Sequence, residues 1–155
     1  MANTAGLCQS FKRDILNGIH AFSVATGGKG TVDSFYGALY YAAASPSLSP
    51  STTTAYAATG EITASGTYAT GGGVLTNSTA PSITGSTTTA YWTPGNLSFS
   101  SFTATAFDTL LIYNNTVSGK PAVGIFTFSS QTITSGTFTL TMPTNDATNA
   151  LIRIA

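Results

Sequence analysis

Ser34-Phe35-Tyr36-Gly37-Ala38-Leu39-Tyr40-Tyr41-Ala42 sets the fold class. Successive side chains of a strand point to opposite faces. Phe35, Gly37, Leu39 and Tyr41 then share one face, and Tyr36, Ala38 and Tyr40 the other. Both faces are apolar or small, as in a strand covered on each side. A central strand over 34–42 is the expectation.

C-terminal to it, 43–54 places Pro46 and Pro50 among Ser and Thr and reads as a loop. Short strands are predicted at 60–64, 73–76, 88–92, 99–104 and 107–113. The last of these holds the run Leu110-Leu111-Ile112-Tyr113, and Asn114-Asn115 makes a turn before a strand at 122–128. In 137–142, Phe138, Leu140 and Met142 alternate with Thr137, Thr139 and Thr141. A strand at 151–154 follows. Short strands at this spacing predict an all-β domain, a single β-sandwich or jelly-roll-like fold. The hexamer Ser51-Thr52-Thr53-Thr54-Ala55-Tyr56 recurs as Ser86-Thr87-Thr88-Thr89-Ala90-Tyr91. Two copies with unlike flanks do not make a solenoid.

N-terminal to the central strand the periodicity changes. Leu7, Phe11, Ile15 and Ile19 fall four apart, with Phe22 three further on, which lines one face of a helix. The pattern predicts a helix from Asn3 to Phe22, with Asn3 or Thr4 as cap and Gly27-Gly28 as stop. Lys12, Arg13 and Asp14 lie off the stripe. Two roles stay open: packing on the chain's own sheet, or an arm docking on a neighbouring subunit. The domain reading is a helix or arm over 1–30 and a β-sandwich over 31–155.

The 155 residues suit one domain, large enough to fold without a metal or disulfide. Charged residues are 6% of the chain against about 25% in ordinary soluble domains, and net charge is zero. Lone soluble chains usually carry charge of one sign, so neighbours are expected to shield this surface. Ser and Thr number 47 and supply its polarity. Thr also favours the pleated, half-buried surface of a sheet. Five scattered cations make no stripe for nucleic acid. No apolar run is long enough for a membrane span, and Met1-Ala2-Asn3-Thr4 lacks a basic, apolar leader. Cys8 stands alone and reads as a small buried thiol.

Little here points to catalysis. His20 is the single histidine, and a zinc site takes three or four N or S ligands. The carboxylates Asp14, Asp33, Glu61, Asp108 and Asp146 are spaced singly. Gly27-Gly28-Lys29-Gly30-Thr31 departs from a phosphate loop because Gly30 follows the lysine. Sequons at Asn77, Asn96 and Asn114 are the number that chance supplies in so Ser- and Thr-rich a chain. No catalytic residue, no metal and no cofactor are expected. Trp92, Tyr91, Tyr68 and Tyr56 could stack on a sugar, and core or interface packing is the stronger reading of the same rings; Tyr56, Tyr91 and Trp92 are the candidate aromatic surface contacts.

A resemblance spans nearly the whole chain. Its marks are Met1-Ala2-Asn3-Thr4-Ala5, Phe11-Lys12, Gly18-Ile19-His20, 33–40 from Asp33 to Tyr40, Thr54-Ala55-Tyr56, Thr59-Gly60-Glu61-Ile62 and 137–153 from Thr137 to Arg153. In this order they resemble a family of small virion proteins of tailed bacteriophages. The resemblance implies a non-enzymatic viral structural protein, made in the host bacterial cytoplasm and located in the virion. The expected role is a capsid decoration (cement) protein, a homo-oligomer bound to the major capsid protein. The putting-together of Leu7, Phe11, Ile15, Ile19 and Phe22 on one face makes that helix the candidate interface. Two alternatives stay open: a neck, tail or fibre component of the particle, and a carbohydrate-binding module.

Overall fold

A computed structural model describes residues 2–23, 30–76, 79–85 and 88–155. Gly27-Gly28, most of the glycine-rich segment 27–31, the Asn77 sequon and Ser86-Thr87 of the second hexamer lie outside the described residues. The chain is all-β in outline, with one short helix. Its elements are β1 (Gly6–Leu7), α1 (Gln9–Leu16), β2 (Phe35–Tyr41), β3 (Gly73–Leu75), β4 (Ala90–Trp92), β5 (Leu97–Asn114), β6 (Ala122–Leu140) and β7 (Ile152–Ile154). Two open sheets result: β1-β6-β5-β2-β3, antiparallel throughout, and the pair β4-β7.

The central-strand reading of 34–42 matches β2, which lies between β5 and β3. Its residues Phe35 and Gly37 to Tyr40 are buried, on both faces. Gly72 shows how close β3 approaches: at φ 79°, a Cβ there would lie 1.9 Å from the Gly37 carbonyl oxygen. The segment 60–64 forms no strand, only a bridge from Glu61 to Tyr40.

The largest departure from the sequence reading is that four expected strands are two. The strands at 99–104 and 107–113 are one strand, β5, and those at 122–128 and 137–142 are one strand, β6. Bulges alternate between them and conceal the continuity. Phe99 to Phe102 on β5 faces Phe138 to Gly136, so β5 carries one extra residue. Phe102 to Ala104 faces Gly136 to Ile133, so the extra residue is on β6. Ala104 to Phe107 faces Ile133 to Gln131, and the excess returns to β5. Each bulge resets the phase of the alternation. Phe99, Phe102, Ala104 and Phe107 are therefore all buried, although they are spaced three, two and three apart.

Three non-glycine residues in the left-handed region sit at these bulges: Ser101 and Ala106 at φ 51° and Ser135 at φ 49°. The buried rings form a row, with Phe102–Phe107 centroids 5.6 Å apart and Phe107–Phe138 at 4.9 Å. The loop at 65–68 closes over one end of the row. Tyr68 meets Phe99 edge-on at 4.9 Å, and the Thr67 N–H donates to the Ser100 carbonyl at 3.1 Å. Gly66, at φ 58°, is required there, because a Cβ would lie 2.2 Å from the Ser100 oxygen.

The N-terminal helix is shorter than its apolar periodicity predicts. It runs Gln9–Leu16, eight residues instead of the expected 3–22. Leu7 belongs to β1 and pairs with Gly124 of β6. Asn3 does not cap the helix. Its amide group donates to the Tyr41 carbonyl at 3.0 Å and the Thr109 hydroxyl at 2.9 Å, and its oxygen accepts the Leu48 N–H at 2.8 Å. Gly18, at φ 66°, follows the last helical turn and ends it. The apolar stripe reaches the core by three routes: Leu7 through a strand, Phe11 through the helix, and Phe22 through a loop. A four-residue spacing persists because each route places its residue against the same core. The segment 2–22 is therefore joined to the large sheet, with β1 as its edge strand.

Candidate functional site

Two buried polar clusters and one exposed face gather the chain's chemically distinctive residues. The first cluster joins α1 to the end of β5. Asp14 was expected off the apolar face, yet it is 2% exposed, with Arg13 donating through Nε and Nη2 to its Oδ1 at 3.0 and 2.8 Å. The guanidinium folds back over the helix to partner it, which makes burial of the carboxylate tolerable. The His20 ring is fully buried, its Nε2 4.0 Å from the other oxygen of Asp14. The Asn114 amide lies 3.1 Å from His20 Nδ1 and donates to Asp33 Oδ2 at 2.8 Å. Asp33 Oδ2 also accepts the Ala21 N–H at 2.8 Å, and the Asn114 oxygen accepts the Thr116 N–H at 3.0 Å. Asn114 thus ties the loop after α1, the entry to β2 and the turn after β5 into one network. Among the described residues no three His, Cys, Asp or Glu side chains gather as a metal-binding group.

The second cluster is centred on Glu61, whose importance the sequence does not reveal. Its Oε1 accepts the Tyr68 hydroxyl at 2.6 Å and the Gly71 N–H at 2.7 Å, and its Oε2 accepts the Tyr56 hydroxyl at 2.6 Å. Tyr68 in turn accepts the Leu39 N–H at 2.9 Å. Burial and the neighbouring carboxylate hold the phenols of Tyr40, Tyr56 and Tyr68 well above their ordinary range, and push Tyr113 to about 12. Tyr56 stacks on Tyr113 at 4.6 Å, and the Lys120 ammonium lies 5.1 Å from the Tyr56 ring centre. A carboxylate that accepts three short hydrogen bonds from fixed donors is a locking element. One signal was available: Glu61 is one of only five acids, and it falls between Tyr56 and Tyr68.

Of the expected aromatic surface contacts, Tyr91 and Trp92 are buried, 7% and 2% exposed. Trp92 packs edge-on against Phe22 at 4.8 Å, and its indole N–H donates to the Thr79 carbonyl at 3.0 Å. It holds the small sheet to the large one, which explains why it faces inward. Tyr56 keeps partial exposure. Of the expected interface helix, Phe11 is buried at 1%, Leu7, Ile15, Ile19 and Phe22 are half-buried, and Leu16, outside the stripe, is 88% exposed. Cys8 is buried at the start of α1, and burial pushes its thiol up to about 11.

The exposed face belongs to the β5–β6 ribbon. Thr127, Ser129, Ser130, Thr132, Thr134 and Thr137 of β6 are all exposed. Across from them, β5 exposes Ser98, Ser100, Ser101, Thr103 and Thr105. No charged residue occurs from Ala122 to Leu140. Some hydroxyls take up backbone groups that the bulges release: Thr132 accepts the Ala106 N–H at 3.2 Å, and Ser65 accepts the Thr103 N–H at 3.0 Å.

No family model, curated protein or solved structure matches the chain. Among the described residues no helix is long and apolar enough to cross a membrane.

Proposed function

We propose that the protein is a structural component of a tailed-phage virion, a capsid decoration protein that acts by self-association and by contact with the shell. The observation that carries this reading is the ribbon face of β5 and β6, uncharged from Ala122 to Leu140 and covered with hydroxyls. Such a surface donates and accepts hydrogen bonds without fixing their direction. It brings no like charges together when identical copies meet, and salt screening does not weaken it. The resemblance of the sequence to small virion proteins of tailed phages supports the same reading. The finer architecture in this proposal is sandwich-like, with β4–β7 laid over the Phe22–Phe35 end of the large sheet through Trp92.

The carbohydrate-binding alternative keeps Tyr56 as a half-exposed ring. Trp92 and Tyr91 would have to leave the core to stack on a sugar ring. Sedimentation velocity of the purified protein at micromolar concentrations tests the proposal. A discrete oligomer is the expected result, and a monomer across the whole range contradicts it.

A further inference from the structure

We propose that two copies of the chain pair edge to edge along β6 from Phe126 to Leu140, antiparallel, about a two-fold axis at Ile133. The inference rests on the self-association reading above and names its surface.

The outer edge of β6 is covered only at its start, where β1 pairs with Gly124 and Ile125. Beyond Ile125, no described strand pairs with that edge. Exposed strand edges recruit further strands, and soluble proteins blunt them with lysine, proline, inward charge, bulges or a covering element. From Ala122 to Leu140 there is no Lys, Arg, Asp, Glu, His or Pro. The bulges twist the edge, and nothing charged guards it.

The sequence of this edge names its occupant. Read forward from Phe126 and backward from Leu140, it nearly repeats itself about Ile133. Thr132 mirrors Thr134, Ser129 mirrors Thr137, Phe128 mirrors Phe138, Thr127 mirrors Thr139, and Phe126 mirrors Leu140. An isologous contact sets each residue against its mirror position in the partner. The faces also agree. Phe126, Phe128, Ile133 and Leu140 are half-buried and Phe138 is buried, whereas Thr127, Thr132, Thr134 and Thr139 are exposed. Antiparallel pairing about Ile133 therefore sets Phe128 against Phe138, Phe126 against Leu140, and threonine against threonine. These are favourable cross-strand pairs. A foreign strand has no reason to match a two-fold pattern, and a second copy matches it by construction. The contact closes on itself, because each copy uses the same edge once.

The test uses the mirror pair Thr127 and Thr139, both exposed and far apart within one chain. Thr127→Lys with Thr139→Lys sets lysine against lysine twice in the dimer. Thr127→Lys with Thr139→Glu alters the same two positions but sets lysine against glutamate. Dimer dissociation constants are read by sedimentation. Wild type is expected to dimerise, the Lys/Lys variant to bind at least about tenfold more weakly, and the Lys/Glu variant to return close to wild type. If wild type associates and the Lys/Lys variant associates equally well, the β6 edge is not the contact, although self-association stands. If both variants dissociate alike, the loss is not one of charge across this axis, and the proposal falls. If wild type is monomeric, both the edge and the self-association reading fall.

Discussion

The Thr103 hydroxyl on β5 accepts the backbone N–H of Ser135 on β6 at 2.9 Å, where Ser135 stands at φ 49°. The reciprocal bond runs from Ala106, at φ 51°, to the Thr132 hydroxyl. A bulge turns an amide out of the ladder, and here a threonine of the opposite strand receives it. Part of the unusual hydroxyl content thus sustains a long ribbon that is repeatedly bulged.

Thr103→Val keeps the β-branched shape and removes the acceptor. The loss should be about 1 kcal/mol, the ordinary net worth of one hydrogen bond, or roughly 2–4 °C in melting temperature for a chain of this size. Ser135→Gly should be neutral or stabilising, because glycine adopts this φ without strain. Thermal scans of both variants check the pair. A Thr103→Val variant that melts with wild type contradicts the role given to the hydroxyl.

Tyr68→Phe removes one donor from Glu61 and orphans the buried Leu39 N–H. Leaving a buried group unsatisfied costs about 1–3 kcal/mol, more beside a charge. Tyr41→Phe, whose hydroxyl makes only two long contacts at the surface, to the Thr63 hydroxyl and N–H at 3.4 Å each, should change stability by less than about 0.5 kcal/mol. Urea unfolding of the two variants measures the contrast, and equal losses would contradict the account of the Glu61 cluster.

The same cluster sets the pH dependence. Tyr40, Tyr56, Tyr68 and Tyr113 are raised above the ordinary 10.0, and Cys8 is raised from 9.0 to about 11. For a raised group the unfolded chain loses its proton first. The stabilisation is complete below the unfolded value and is lost as pH climbs toward the folded one. Each such group that ionises only on unfolding removes up to about 1.4 kcal/mol per pH unit. Stability should begin to fall near pH 9 and drop steeply above pH 10. Melting temperatures from pH 7 to pH 11.5 test this, and a flat profile through pH 11 would contradict it.

Phe11→Ala and Leu16→Ala separate the two sides of α1. Phe11 is 1% exposed and Leu16 is 88% exposed. The first substitution opens a cavity worth about 3–5 kcal/mol, and the second should stay within about 0.5 kcal/mol. Calorimetric scans of the two variants check the assignment, and comparable losses would mean that α1 presents another face to the core.

β2 was legible because its neighbours cover both faces, so an apolar run needs no phase. β5 and β6 were not, because Ser101, Ala106 and Ser135 each shift the phase, and a period-two reading ends wherever the phase slips. The three-residue spacing of Phe99 to Phe102 and of Ala104 to Phe107 was the available signal. The helix was overextended because Leu7 and Phe22 keep its period while lying in a strand and a loop. Burial of Trp92 depends on Phe22 and Phe35, distant in the chain, and no local pattern announces such contacts. Glu61 escaped for another reason: its donors Tyr56, Tyr68 and Gly71 are near in the chain but come from irregular loops, which carry no periodicity to read.

Quantitative mass spectrometry of purified phage particles encoding this chain tests the central claim most directly. A decoration protein repeats over the shell, and the account predicts on the order of hundreds of copies per particle, consistent with closed contacts between identical copies. Particles that lack the protein, or that carry it in about a dozen copies or fewer, would contradict it.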